Sequence, residues 1–61
     1  MIITATFTGI NSLGYENGKD YQLKVANLQG FSVKRLDGTG KCLYQFLSAF
    51  LKNWNNIRVV S

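Results

Sequence analysis

One alternating stretch near the start of the chain decides the fold, and it reads Ile2-Ile3-Thr4-Ala5-Thr6-Phe7-Thr8. The apolar side chains of Ile3, Ala5 and Phe7 fall on one side, and threonines fall on the other. A period of two is typical of a β-strand that has one face exposed to solvent. The β-branched threonines suit that face. The stretch therefore predicts a sheet that packs one face on a core.

The segments that follow this strand predict two more. Residues 21–26 and 31–36 alternate in the same way, and turns are predicted at residues 28–30 and 37–40. Between the first two strands lies Asn17-Gly18, a dipeptide typical of tight hairpins because both residues tolerate positive φ. The first half of the chain is therefore predicted to be an antiparallel sheet.

The hydrophobic period changes after residue 40. From Lys41 to about Asn53, apolar residues recur at the spacing of an amphipathic helix, and they are Leu43, Phe46, Leu47, Phe50, Leu51 and Trp54. Thr39 is the predicted N-cap. A short strand is predicted at residues 57–60. The order is then βββαβ, a single α+β domain over residues 1–61, with an antiparallel sheet packed on one amphipathic helix.

The predicted helix carries more apolar surface than one sheet face needs. A chain of 61 residues has a marginal core, and a single cysteine with no histidine excludes both an internal disulfide and a four-ligand zinc site. We therefore expect a homo-oligomer whose interface includes Tyr44, Phe50 and Trp54. The alternative is a monomer whose sheet curls around the helix.

The composition argues against an enzyme. The chain has no histidine and three acidic residues, so no Ser/His or Cys/His pair can activate a nucleophile. We expect no catalytic residue, metal or cofactor, and Asp20 and Asp37 are interpreted as turn or cap residues. No run approaches the roughly 20 apolar residues of a membrane span, and residues 1–15 lack the pattern of a secretory signal. We expect a cytoplasmic protein without a membrane segment.

The net charge of +4 is unevenly distributed along the chain. Lys19 and Lys24 are balanced by Glu16 and Asp20. After residue 30 a single acid faces five cations, which are Lys34, Arg35, Lys41, Lys52 and Arg58. This asymmetry favours an anionic partner, although it could equally serve solubility.

The glycine-flanked segment at residues 36–41 is the predicted anion site. A strand-to-helix junction aims free backbone N–H groups and the positive end of the helix dipole at one point. The full phosphate-loop pattern is absent, since Arg35 and Cys42 replace its first glycine and its Ser or Thr. Tyr15 and Tyr44 are candidate aromatic contacts. The predicted ligand-binding set is Arg35, Gly38, Thr39, Gly40, Lys41, Tyr44 and Tyr15; the alternative is a plain turn.

Two further features of the sequence each have two interpretations. Lys34, Arg35 and Arg58 would form a basic rim if the third and last strands were adjacent, or else a charged edge that prevents strand addition. Cys42 would lie in the first helical turn, where the dipole lowers a thiol pKa. A small buried apolar residue is the simpler interpretation of Cys42.

The chain resembles short uncharacterised proteins of bacteriophages and other mobile elements. The segments that carry the resemblance are Ser12-Leu13-Gly14-Tyr15, Asn17-Gly18-Lys19, Tyr21-Gln22-Leu23, Leu36-Asp37-Gly38-Thr39-Gly40-Lys41-Cys42 and Phe50-Leu51-Lys52-Asn53-Trp54. The resemblance implies a phage context, in which small non-catalytic proteins inhibit host defence by capping a protein or by sequestering a nucleotide messenger. It supplies no binding residue.

These observations lead to three functional hypotheses. The first is a non-enzymatic binding protein that captures an anionic, nucleotide-like ligand between the subunits of a homo-oligomer. The second is a nucleic-acid-binding protein that uses the basic second half. The third is an inhibitor that docks an edge strand or a helix on a host protein.

Overall fold

The computed structural model describes residues 1–27 and 31–61, and the turn predicted at residues 28–30 lies outside them. Across the described residues the chain forms five strands and one short helix: β1 (Ile2–Phe7), β2 (Asp20–Ala26), β3 (Phe31–Arg35), β4 (Cys42–Tyr44), α1 (Leu47–Leu51) and β5 (Trp54–Val59). The strand order is β4-β3-β2-β1-β5, and neighbouring strands are antiparallel. The α+β class and the antiparallel sheet are confirmed.

The alternating stretch at the start of the chain forms the centre of this sheet. Ile3, Ala5 and Phe7 of β1 are buried, as predicted. In the register, Ile3 lies opposite Leu23 of β2 on one side and Val59 of β5 on the other. We call the face that carries these buried residues the inner face, and the opposite one the outer face.

The connection between β1 and β2 is longer than a tight hairpin. Asn17-Gly18 does form a turn, in which the Lys19 amide donates to the Glu16 carbonyl over 3.2 Å and Gly18 adopts a φ of +86°. Residues 8–19 nevertheless fold back over the inner face, because Tyr15 is 1% exposed and lies in the core. The connection is therefore part of the core packing.

The predicted helix from Lys41 to Asn53 is wrong. Cys42–Tyr44 instead forms β4, in which Phe31 lies opposite Tyr44 and Val33 opposite Cys42. Cys42 and Tyr44 are partly buried and Leu43 is exposed, so this segment follows the period of a strand. Pairing with β3 gives the backbone N–H and C=O groups of this segment hydrogen-bond partners. In a short helix, many of these groups would lie at the helix ends and have no partner within the helix.

The helix that does form spans five residues and has no side-chain N-cap. Its N-cap position is Phe46, and it makes no side-chain capping hydrogen bond. The prediction of Thr39 as the N-cap is wrong, because Thr39 lies in the turn between β3 and β4. Phe50 is the buried residue of α1 and anchors it on the inner face.

Aromatic rings from several elements fill the core. Trp54 packs on Phe7, Tyr15 and Phe50, with ring centroids 5.0, 5.1 and 6.0 Å away. The Trp54 indole N–H donates to the Tyr44 hydroxyl over 3.1 Å, so its polar atom is satisfied. Aromatic packing thus joins β1, the 8–19 connection, α1 and β5.

This core corrects the predicted subunit interface. Phe50 and Trp54 are each 1% exposed within one chain and cannot also present their rings to a second subunit. Tyr44 is half-buried and packs against the same core. The exposed apolar residues around α1 are instead Phe46, Leu47 and Leu51.

Within residues 1–27 and 31–61, no helix has the length and apolarity needed to cross a membrane.

Candidate anion-binding site

The predicted anion loop is a turn between two strands. Residues 36–41 join β3 to β4, so neither a helix N-terminus nor its dipole points at this loop. The Thr39 amide and hydroxyl donate to one Asp37 carboxylate oxygen over 2.9 and 2.6 Å. These hydrogen bonds, the one from the hydroxyl first, hold the pKa of Asp37 below its usual value. The loop donors are thus used internally, which agrees with the plain-turn alternative.

Four residues of the predicted set do meet, and we call Tyr15, Arg35, Thr39 and Gly40 the Arg35 cluster. The Arg35 guanidinium lies 4.5 Å from the centroid of the Tyr15 ring, and its Nε donates to the Thr39 hydroxyl over 2.9 Å. The Tyr15 hydroxyl donates to the Gly40 carbonyl over 2.8 Å. Burial raises the pKa of Tyr15, an effect that Arg35 opposes. The cluster ties the 8–19 connection to the β3–β4 turn.

The other predicted ligand residues lie elsewhere. Gly38 is exposed in the turn, and a Cβ added to it would have no neighbouring atom within 4 Å. Tyr44 faces the core and accepts the hydrogen bond from Trp54. Lys41 is exposed and lines a cavity on the outer face. The structure therefore divides the predicted site between the turn, the core and the outer face.

The predicted basic rim does not form. Lys34 lies on β3 and Arg58 on β5, and β2 and β1 separate the two strands. Arg58 is instead paired with Asp20, since its Nη2 lies 3.2 Å from a carboxylate oxygen. Asp20 is therefore engaged by Arg58, and it does not neutralise Lys24.

Three exposed lysines gather on the outer face, and we call Lys24, Lys34 and Lys41 the lysine row. Lys24 of β2 lies directly opposite Lys34 of β3. Val33 is opposite Cys42 in the last pair of the β3–β4 register, and Lys34 and Lys41 lie next to these two residues and line the same cavity. The three lysines line one cavity of about 530 Å³, together with Ser32 and apolar residues, which are Met1, Ile2, Val25, Ala26 and Leu43.

The electrostatics of the lysine row favour an anionic ligand. Like charges directly opposite on neighbouring strands repel each other and destabilise the sheet. In residues 1–27 and 31–61 the ion pairs join Lys19 to Glu16 and Arg58 to Asp20, so the paired carboxylates are engaged by cations outside the row. Lysine ammonium groups are donors only. An anion in the cavity would relieve the repulsion.

Sequence reasoning missed Lys24 and did not group Lys34 with Lys41. The available signal was their symmetric placement around the turn, because residues equally distant from a hairpin turn face each other. The predicted helix hid this signal. Once Cys42–Tyr44 is known to be a strand, Lys34 and Lys41 fall on one face.

The structure also bears on the chemistry of Cys42 and the acidic residues. Cys42 is half-buried in β4 and packs against the core, so no helix dipole acts on its thiol. Among the described residues, no group of three or more His, Cys, Asp or Glu side chains could hold a metal ion.

Comparison with protein-family models, with curated proteins and with solved structures finds no match to this chain. The resemblance to phage proteins stays a prediction.

Proposed function

We propose that this chain is a non-enzymatic protein that binds phosphate-bearing, nucleotide-like anions on the outer face of its sheet. The observation that carries the proposal is the lysine row, three cations that line one cavity and have no carboxylate partner in the described residues. Of the ligand set predicted from sequence, Lys41 belongs to this surface. Lys34 joins it from the predicted basic rim.

The lining of the cavity suits a ligand with both charged and flat apolar parts. Lysine is a phosphate-binding residue that acts as a point charge. Beside the ammonium groups lie the exposed side chains of Met1 and Leu43. A volume of about 530 Å³ falls in the range of small-molecule sites. A nucleotide has both the phosphate and the flat base for such a site.

Titration of the protein with linear and cyclic nucleotides tests the proposal. Replacement of Lys24, Lys34 or Lys41 by Gln removes one charge from an exposed site and should weaken binding by up to about fivefold each. Lys52→Gln is the matched control, because Lys52 is an exposed lysine at the C-cap of α1, the helix packed on the inner face. Equal weakening by Lys52→Gln, or no binding up to millimolar nucleotide, would contradict the proposal.

We further propose that the chain self-associates through the exposed apolar residues around α1. Phe46, Leu47 and Leu51 are 67%, 60% and 51% exposed. Their burial in an interface would add apolar burial that a 61-residue core lacks. Native mass spectrometry should give a multiple of the subunit mass, and Leu47→Glu should return it to one subunit. A monomer at all concentrations would contradict this proposal.

The resemblance to phage proteins supports a biological setting for these two activities. In that setting the protein would sequester a nucleotide of the host cell, in the cytoplasm, as a counter-defence protein. Native mass spectrometry of protein purified from infected cells would identify a retained nucleotide by its excess mass. Protein that consistently carries no ligand in such cells would argue against sequestration.

A further inference from the structure

We infer that the phosphates recognised by the lysine row are those of a single-stranded nucleic acid, which lies across the strands of the outer face. This inference rests on the proposed function, because it uses the same three lysines. A single nucleotide would satisfy the proposed function, whereas this inference names a polymeric ligand.

The length of the lysine row favours a series of phosphates. Lys24 and Lys34 belong to the adjacent strands β2 and β3, and Lys41 directly precedes β4, the next strand of the sheet. Neighbouring strands are about 4.8 Å apart, so the row spans about 10 Å between its outer backbone positions. The long, flexible side chains extend this reach. The phosphates of one nucleotide cluster at a single end, whereas those of a nucleic-acid strand are spread along its length.

Past the row, the described part of the outer face continues with neutral side chains. Next to Lys24, β1 places the neutral side chain of Ile2, and two residues along the strands Thr4 lies opposite Gln22. The acid on this part of the sheet, Asp20, is bonded to the Thr6 hydroxyl and to Arg58. The negative charge of Asp20 is therefore already compensated within the protein.

The apolar lining distinguishes a single strand from a duplex. Met1 and Leu43 are 70% and 68% exposed at the cavity that the lysines line. A single strand can lay its unstacked bases on these side chains, whereas a duplex keeps the faces of its bases inside the stack. The cavity lining in the described part of the chain contains no aromatic ring. Contacts from lysines to phosphates should depend little on base sequence.

Fluorescence anisotropy with a labelled oligo(dT) of about 12 nucleotides tests the inference. Three phosphate contacts predict a salt slope of about −2, or about 20-fold weaker binding when salt rises from about 50 to about 200 mM. Lys34→Gln should lower this factor to about sevenfold, since one contact is lost. Lys52→Gln should leave it unchanged. A slope shared by the unaltered protein and both variants would overturn the inference.

Competition by thymidine triphosphate and by a duplex of equal length separates this inference from the proposed function. Displacement of oligo(dT) only at much higher concentrations of the triphosphate or duplex supports a single-stranded ligand. Triphosphate that binds as tightly as oligo(dT) would overturn the inference and leave the proposed function standing. Tighter binding of the duplex would also overturn the inference. Failure of every phosphate compound to bind would overturn both.

Discussion

The guanidinium of Arg35 lies over the ring of Tyr15, with its Cζ 4.5 Å from the ring centroid. Arg35 ends β3, and Tyr15 belongs to the 8–19 connection, so this contact joins segments that are distant in sequence. The Tyr15 ring is buried, and the Arg35 Nε is held by the Thr39 hydroxyl. These interactions fix the β3–β4 turn against the core.

Arg35→Met should destabilise the protein by about 1–2 kcal/mol, because it removes a cation–π contact and one hydrogen bond. The matched control is Lys34→Met, which changes the preceding residue of β3 and should alter stability by less than about 0.5 kcal/mol. Urea unfolding at neutral pH measures both. If the two variants unfold at the same urea concentration, the Arg35 cluster contributes no stability.

Gly40→Ala should be more destabilising than Gly38→Ala, although both glycines have positive φ, +67° and +89°. A Cβ at Gly40 would lie 2.8 Å from both the Arg35 Cζ and the Tyr15 hydroxyl oxygen, whereas one at Gly38 would meet nothing within 4 Å. Gly38→Ala should cost about 1–2 kcal/mol from backbone strain alone. Gly40→Ala adds the displacement of the cluster, for a total of about 3 kcal/mol. Thermal unfolding compares them, and equal losses would contradict the geometry of the cluster.

Phe50→Ala should remove about 3–5 kcal/mol of stability, because Phe50 is 1% exposed and its ring is stacked with Trp54. For a domain of this size such a loss can abolish the cooperative thermal transition. Phe46→Ala, four residues earlier and 67% exposed, should change the stability of the isolated subunit by less than about 0.5 kcal/mol.

Measurement at low protein concentration keeps the Phe46 comparison free of self-association. Similar losses for the two phenylalanines would show that Phe50 is not the core residue described above.

The strands that the sequence predicts correctly depend on local alternation, as in β1, where Ile3, Ala5 and Phe7 face the core. The prediction for the segment around Leu43 is wrong because its apolar residues fit a period of 3.6 over residues 41–54. The deciding factor, pairing of Cys42 with Val33, is a tertiary contact that no local pattern contains. Strand pairing overrides the helical period here.

The candidate sites, too, are only partly predictable from the sequence. Tyr15 and Arg35 are ligand contacts in the sequence-based prediction, and they do meet, but each is engaged with the other. The lysine row requires the register of three strands, and a single shift by one residue would send Lys24 or Lys34 to the inner face. Residue types could be predicted from the sequence, whereas their grouping depends on the sheet.

Thr6→Val should raise the pKa of Asp20 toward its ordinary value of 3.8. The Thr6 hydroxyl donates to one Asp20 carboxylate oxygen, and this hydrogen bond, followed by the interaction with Arg58, holds the pKa of Asp20 below that value. A carboxyl whose pKa is lowered by folding stabilises the fold above pH 3.8, and this stabilisation is lost as the pH falls through the folded-state pKa. Valine keeps the β-branched shape of threonine on β1 but cannot donate a hydrogen bond.

Titration of the Asp20 carboxyl carbon by NMR measures the pKa of Asp20 directly. Thr8→Val is the matched control, since Thr8 follows β1 and lies outside its register with β2 and Asp20. An Asp20 pKa that stays depressed in Thr6→Val would assign the shift to Arg58 instead.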